Sequence, residues 1–364
     1  MKDFDNSTRV FLELVRAGLW GKADANLNVD LNLNEGINWD KVYQLAQEQS
    51  VQGLVLQGID WFKNHNDNHH FNVNIPQGML LQWIGEVQMI EQRNKDMNGF
   101  IADLIAKMRE ADIYTLLVKG QGIAQCYERP QWRASGDVDF LLSDSNYEKA
   151  REFLLPLSSD NKPDERYSKH LGMNIDQWYV EIHGSLRTGL SAKVDKEVDA
   201  AQNSVFIGGN VRLWDNKGTL VFLPAPTEDV FLVFTHFIKH FYKKGMSLRQ
   251  VCDWCRLLWT YRNEINVDWL ELHLRKAGLM EEWQAFAALA VEYLGMPKEA
   301  MPFYDSRFTD KGSRLVEFIL GGYSRNKIKD TLQIAKIFLW KALRYSPSIF
   351  LNVNGLKIRE RLFK

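Results

Sequence analysis

Short apolar segments between residues 114 and 183 interrupt a chain whose remaining sequence has mainly helical periodicity. The first segment, TLLV, ends in Lys119-Gly120, which is typical of a buried strand followed by a tight turn. The expected elements are strands over residues 115–118, 137–142, 170–175 and 178–183, with helices over 122–127 and 145–155. The order β-α-β-α-β-β predicts an α+β fold built on a small mixed sheet.

Helical sequence flanks this module on both sides. Val10, Phe11 and Leu14 share one face of a predicted helix, and residues 79–111 are typical of one long helix or two in tandem. Between residues 193 and 223, glycine-containing turns predict a few small strands. The predicted regions are an N-terminal helical region, an α/β core and a C-terminal helical domain, over residues 1–98, 99–225 and 226–364.

Length and composition limit the class of protein. The 364 residues exceed the usual size of one hydrophobic core, so two or three domains are expected. Lys plus Arg total 45 against 46 for Asp plus Glu, a balance that disfavours long nucleic acid as a partner. No apolar run is long enough for a signal peptide or a membrane span, so neither is expected. The three cysteines form an odd, sparse set, which predicts reduced thiols and a cytoplasmic location.

The motif Asp137-Val138-Asp139 is the most informative feature of the predicted sheet. On a strand, residues i and i+2 point to the same face, so both carboxylates project together, about 7 Å apart at the backbone. Two divalent ions about 3.5–4 Å apart are the usual device for nucleotidyl transfer. Mg²⁺ or Mn²⁺ suits such a site, because hard cations accept carboxylates together with water and phosphate oxygens. A solvated strand edge is the alternative for the pair taken alone.

The run LLVKGQGIAQCYERPQWRASGDVDFLL, residues 116–142, resembles an uncharacterised nucleotidyltransferase family within the DNA polymerase β-like superfamily. That superfamily combines a glycine-containing turn, a short helix, Asp-x-Asp on the next strand and a third acid on a later strand. The resemblance implies a nucleoside triphosphate as substrate and a divalent metal, but no particular acceptor. The positions that match the family's characteristic residues are Lys119, Gly120, Tyr127, Arg133, Gly136, Asp137 and Asp139.

Five further residues are candidate nucleotide contacts. Lys119 offers a point charge to a triphosphate, and Gly120-Gln121 offers bare backbone, although the superfamily usually has Gly or Ser where Gln121 stands. Arg133 is either a bidentate phosphate clamp or one half of an ion pair that orders its loop. His183 is a candidate general base or outer-shell donor, and a structural histidine is the alternative.

Glu181 is the predicted third carboxylate. It lies on the expected strand 178–183, where Val180 and Ile182 alternate with Glu181 and His183, and the resembling family has an acid followed two residues later by His in this region. Asp176 is the rival, but it lies in an expected turn, where Asp is common for local reasons. We therefore expect Asp137, Asp139 and Glu181 to converge on one cleft wall near Gly120.

A zinc site is a separate possibility in the helical C-terminal sequence. His236 and His240 lie four residues apart, and Cys252 and Cys255 form a CxxC pair. Zinc-binding CxxC pairs normally lie in turns, whereas this one lies in an amphipathic helical pattern, so buried thiols are expected instead.

Two functions remain open at this point. The first is a nucleotidyltransferase that moves a nucleoside monophosphate from NTP to an acceptor hydroxyl of a small molecule, a sugar or a protein. The second is a non-catalytic module that binds nucleotide or protein on the same fold. The intact Asp137–Asp139 pair favours the first, and a metal-dependent sensor is also compatible with it.

Overall fold

A computed structural model of the chain describes residues 4–21, 36–64, 74–161, 169–243, 245–322 and 327–345. The end of the predicted C-terminal domain, residues 346–364, lies outside the described residues. The described part is a mixed α and β structure, in which a seven-stranded sheet lies between two sets of helices in the sequence. The α+β class predicted from the sequence is therefore confirmed, with a sheet larger than expected.

The N-terminal helices begin at well-capped positions. Asp5 accepts hydrogen bonds from the backbone N–H groups of Ser7 and Thr8, and Asn38 accepts one from Lys41. The long helical sequence forms a single helix of 34 residues without a break. The helices are α1 (Asn6–Trp20), α2 (Trp39–Glu48), α3 (Gln52–Asn64) and α4 (Gln77–Glu110).

The central elements contain the predicted core, one two-residue strand that was not predicted, and two strands from the segment where small strands were expected. They are β1 (Leu116–Val118), α5 (Gly120–Ala124), β2 (Val138–Leu141), α6 (Asp144–Leu154), β3 (Asp160–Asn161), β4 (His170–Ile175), β5 (Trp178–His183), α7 (Ala192–Gly208), β6 (Val211–Asn216) and β7 (Thr219–Pro224). The strand order in the sheet is β3-β4-β5-β2-β1-β7-β6. Strands β2 and β5 are parallel neighbours, whereas β1 is antiparallel to β2.

The expectation of small strands throughout residues 193–223 is wrong for the first half of that segment. Helix α7 occupies it, with Ser191 as N-cap and Gly209 in the left-handed conformation at its end. Its buried residues Val194, Val198 and Val205 follow helical spacing. The strand prediction gave more weight to the glycine turns that come after them than to this spacing. Strands β6 and β7, which form an antiparallel hairpin, then supply small strands in the second half, as expected.

The two faces of the sheet have different partners. Val138, Phe140 and Val180 belong to an apolar cluster that the α4 and α6 side chains complete. On the opposite face, Leu141 packs near Val205 of α7 in a smaller cluster. Because side chains alternate along a strand, Asp139 and Glu181 share this second, less filled face.

The remaining helices follow the sheet. They are α8 (Pro226–Lys243), α9 (Leu248–Thr260), α10 (Val267–Ala277), α11 (Met280–Leu294), α12 (Thr309–Leu320), α13 (Lys327–Ile337) and α14 (Leu339–Tyr345). They share one large apolar cluster with α1 and α3, and the Trp20 indole donates a hydrogen bond to the Leu294 carbonyl at 2.6 Å. The predicted boundary at residues 98/99 falls inside α4. The division into three regions stays a prediction.

Among the described residues, no helix combines the length and the apolarity that crossing a membrane requires.

Candidate active site

Three carboxylates converge on the open face of the sheet. Asp137 directly precedes β2, Asp139 lies within it, and Glu181 lies opposite Asp139 in the register of the parallel neighbour β5. Ligand oxygens of the three side chains lie within 4.8 Å of one another. The parallel pairing of β2 with β5 creates this arrangement, because it brings two same-face positions side by side.

Asp139 is the centre of a buried ionic network. Its Oδ1 atom lies 2.9 Å from Lys119 Nζ and 2.8 Å from His183 Nε2, and only 3% of its side chain is exposed. Lys119 follows β1 with φ 59°, a left-handed conformation that costs free energy for a non-glycine residue. Backbone of this kind is frequent at functional sites, and here it accompanies an ammonium group that points at Asp139.

Glu181 lies between two histidines. Its Oε2 atom is 3.2 Å from His170 Nε2 and 3.4 Å from His183 Nε2. The two imidazole rings stack with their centroids 4.8 Å apart and their planes inclined by 17°. His183 therefore contacts both Asp139 and Glu181, which is consistent with the predicted role of an outer-shell donor.

The electrostatics of the three carboxyls differ. Burial raises the pKa of Asp137, and the neighbouring Asp139 raises it further. Burial also acts to raise the pKa of Asp139, but the Lys119 charge and the hydrogen bond from His183 outweigh it and lower that pKa. Burial opposes ionisation of Glu181 in the same way, yet hydrogen bonds from His170 and His183 hold its pKa far below its usual range. Asp139 and Glu181 are thus anionic at neutral pH, and Asp137 is the carboxyl easiest to protonate.

Arg133 forms the ion pair that was one of its two predicted roles. Its Nε and Nη2 atoms each lie 2.7 Å from a carboxylate oxygen of Asp253 on α9, and both side chains are buried. The Tyr127 hydroxyl donates to the same carboxylate at 2.7 Å. Arg133 also lines the cleft, but its guanidinium is engaged by Asp253, so the free phosphate clamp is not what the structure shows.

The Gln121 side chain does not face the cleft, whereas the nucleotide contact expected of its backbone stays a prediction. Its side chain is 2% exposed and donates a hydrogen bond at 2.8 Å to Asn94 of α4. Because α5 turns this side chain toward α4, Gln121 holds the helix in place. Gly120, by contrast, lines the cleft with φ 41°, next to the Asp137 carbonyl.

The carboxylates form one wall of a cleft of about 410 Å³. Helices α8 and α9 form the opposite wall, which sequence reasoning did not anticipate. Its polar lining residues are His236, Lys239, His240, Arg249, Gln250 and Asp253. Arg249 is notable because its Nη1 atom donates to the Ala134 carbonyl at 2.9 Å, while its buried Nε atom has no hydrogen-bond partner within the described residues.

His170 was also missed, although the sequence contained a signal for it. The turn Asp176-Gln177 separates two expected strands by two residues, which pairs Ile175 with Trp178. Counting back from that turn places His170 opposite His183. The register of the hairpin, counted from its two-residue turn, was thus sufficient to find the second histidine.

The zinc alternative has no assembled site. Cys252 and Cys255 are buried on α9, and His236 and His240 lie on α8 with rings 4.6 Å apart. Within the described residues, the clusters with metal-binding geometry are Asp137-Asp139-Glu181 and His170-Glu181-His183. Three carboxylates at one open wall are a donor set of the kind that Mg²⁺ or Mn²⁺ accepts.

The fold and cleft define a mixed-sheet protein whose acidic residues come from two adjacent parallel strands. The sequence pattern of the family described as uncharacterised nucleotidyltransferase matches residues 35–295. This match covers more than half of the chain, so the chain belongs to that family, and the resemblance noted for residues 116–142 is confirmed. No curated protein and no solved structure matches the chain.

Proposed function

We propose that the cleft transfers a nucleoside monophosphate from NTP to an acceptor hydroxyl, with Asp137, Asp139 and Glu181 as ligands of Mg²⁺ or Mn²⁺. One observation carries the proposal: the three carboxylates converge within 4.8 Å on the wall of an open cleft. Carboxylates this close repel an anionic triphosphate unless cations lie between them. Membership in a nucleotidyltransferase family supports the reaction type.

The chain's own residues have distinct parts in this reaction. When bound, the divalent ions neutralise the phosphates and polarise the reacting oxygens. The position of the ions would be set by Asp137, Asp139 and Glu181. The Glu181 carboxylate is in turn oriented by His170 and His183. The acceptor hydroxyl releases its proton to solvent and its oxygen bonds to the α-phosphorus. The bond from the α-phosphorus to the oxygen that bridges it to the β-phosphate breaks, and pyrophosphate leaves with that oxygen.

Positive groups around the carboxylates provide the triphosphate end of the site. Lys119 and Arg249 face the cleft from opposite walls, and Gly120 leaves room for a phosphate beside β1. The Nε atom of Arg249 is buried and has no hydrogen-bond partner within the described residues, so a turn of this side chain toward the cleft would bring an unused donor to an anion. The cleft thus offers acidic ligands for cations and basic ligands for phosphate a short distance apart.

A non-catalytic role has one observation in its favour. Asp139 is already neutralised by Lys119 and His183, so a cation has to compete with these partners for its oxygens. A nucleotide sensor of this design would bind NTP without turnover.

The test uses each NTP labelled at the α-phosphate, in parallel with the same NTP labelled at the γ-phosphate, with Mg²⁺ and an extract that supplies acceptors. Transfer of the α-label, but not the γ-label, to an acceptor supports nucleotidyl transfer. Asp139→Ala should abolish it, whereas Asp176→Asn, at an exposed turn of the same sheet, should not. Binding of NTP without any label transfer favours the sensor, and no NTP binding with Mg²⁺ or Mn²⁺ contradicts both roles.

A further inference from the structure

A second set of possible metal ligands adjoins the carboxylates. His170, Glu181 and His183 offer ligand atoms within 4.8 Å of one another, and Glu181 belongs to both sets. The two sets differ in chemistry, since one contains only oxygen and the other contains two imidazole nitrogens. Neither the family match nor the sequence assigned a metal role to His170.

The distances match those of a tetrahedral metal site. Ligands about 2.0–2.1 Å from a Zn²⁺ ion lie about 3.3 Å from each other at tetrahedral angles. Glu181 Oε2 lies 3.2 Å from His170 Nε2 and 3.4 Å from His183 Nε2. Two of the three ligand distances therefore have tetrahedral values before any ion is added. Because the two rings stack at 17°, at least one of them has to turn about its side-chain bonds to point its nitrogen at the same ion.

The ligands are also reachable and held in place. The side chains of His170 and Glu181 are 36% and 20% exposed, and both residues line the cleft. Antiparallel pairing of β4 with β5 sets His170 directly opposite His183, and the two rings stack.

We propose that His170, Glu181 and His183 form a site for a first-row transition ion, with Zn²⁺ preferred, beside the oxygen site for Mg²⁺. Imidazole nitrogens favour Zn²⁺ and its neighbours in the first row, whereas Mg²⁺ prefers an all-oxygen set. Two His and one Glu leave a fourth position open toward the cleft, as in sites where Zn²⁺ contacts a substrate. The inference rests on the proposed function only for what the ion does there, because binding itself needs no nucleotide.

The experiment titrates the metal-free protein with Co²⁺, whose visible absorption reports tetrahedral nitrogen and oxygen coordination, and then with Zn²⁺ in competition. We expect one ion per chain that excess Mg²⁺ does not displace, although the shared Glu181 lets Mg²⁺ weaken its binding, and an affinity at least about 10-fold lower in His170→Ala. His240→Ala is the matched control, since His240 lines the same cleft on α8 outside the cluster. Thermal melts of both variants verify that each is folded.

Three results would overturn the site: no Co²⁺ or Zn²⁺ binding, binding that His170→Ala leaves unchanged, or loss of binding in His240→Ala to the same extent. Asp137→Ala separates the two proposals, since Asp137 is a ligand of the oxygen set alone. Zn²⁺ binding without nucleotide binding keeps this inference and contradicts the proposed function. Nucleotide transfer without Zn²⁺ binding keeps the proposed function and contradicts this inference.

Discussion

Arg133 and Asp253 join the loop before β2 to helix α9 through two parallel hydrogen bonds of 2.7 Å. The pair is buried, and the guanidinium keeps the pKa of Asp253 below its ordinary value, although burial acts in the opposite direction. Because this loop ends at Asp137, the ion pair determines where the first carboxylate of the cleft lies. Helix α9 thus positions Asp137 indirectly, because its Asp253 holds the loop that leads to Asp137.

Arg133→Met should destabilise the protein strongly, since it leaves the Asp253 carboxylate buried without its cation. Breaking a buried pair by removal of one partner costs about 3–5 kcal/mol. Urea denaturation, followed by circular dichroism, measures this loss. Arg275→Ala is the control, because it removes an exposed i,i+4 pair with Glu271 and should change the free energy of unfolding by about 0.5 kcal/mol or less. Equal effects of the two substitutions would contradict the structural role of Arg133.

The three cysteines should be unreactive in the folded protein. Burial raises the pKa of Cys126 to about 11 and raises those of Cys252 and Cys255 above the ordinary thiol value. Because the thiolate is the reactive form, a thiol reagent at pH 8 should label none of them until guanidinium chloride is added, and then all three. Rapid labelling of Cys252 in the native state would contradict this burial. Cys252→Ser should also leave activity and bound metal unchanged.

The sequence was sufficient to predict the part of the site that depends on local pattern. Asp137-Val138-Asp139 and Glu181 lie on strands whose alternation is visible in the residues themselves, and the two-residue turn at Asp176 fixes the hairpin register. The structure brings these carboxylates together as expected. Their roles as metal ligands stay a prediction.

The remainder of the site depends on long-range packing, which leaves no local signal. Arg249 lies 112 positions beyond Asp137 in the numbering and reaches the cleft because α9 packs beside α5 and the loop before β2. Gln121 was placed in the site since it follows Gly120, but α4 supplies a buried partner for its amide. Sequence neighbours of a motif can thus face away from the cleft, and distant helices can supply its opposite wall.

Arg249→Ala should weaken triphosphate binding more than monophosphate binding. The guanidinium has a buried Nε atom without a hydrogen-bond partner in the described part of the chain, and it lines the cleft opposite the carboxylates. Loss of one charge-assisted contact of about 1.5–3 kcal/mol corresponds to an affinity for NTP about 10-fold lower or more. Calorimetry with NTP and NMP in the presence of Mg²⁺ measures the difference. Arg262→Ala, at an exposed position that does not line the cleft, is the control, and equal losses for NTP and NMP would argue against a phosphate contact.

Asp137→Asn and Asp139→Asn should both abolish transfer but change stability in opposite directions. Asp137 has a raised pKa, so its charge opposes the metal-free fold, but its side chain is exposed and water screens the repulsion, so the amide should raise the melting temperature at pH 7 by about 1 °C or less. Asp139 has a lowered pKa through Lys119 and His183, so its loss should cost about 1–3 kcal/mol. Differential scanning calorimetry, with Asp176→Asn as the neutral control, distinguishes the two effects.

The pH dependence of these differences follows from the direction of each pKa shift. The pKa of Asp137 in the folded state lies above the ordinary value of 3.8, so the folded state takes up a proton at a higher pH than the unfolded state does. The destabilisation caused by the Asp137 charge therefore decreases as pH falls toward 3.8. The gain in stability from Asp137→Asn should therefore be present at pH 7 and decrease as pH falls toward 3.8. The folded pKa of Asp139 lies below 3.8, so its stabilising contribution is complete above 3.8 and is lost only as pH falls below it. A stability gap between wild type and Asp139→Asn that already closes between pH 7 and pH 5 would contradict the ion pair with Lys119.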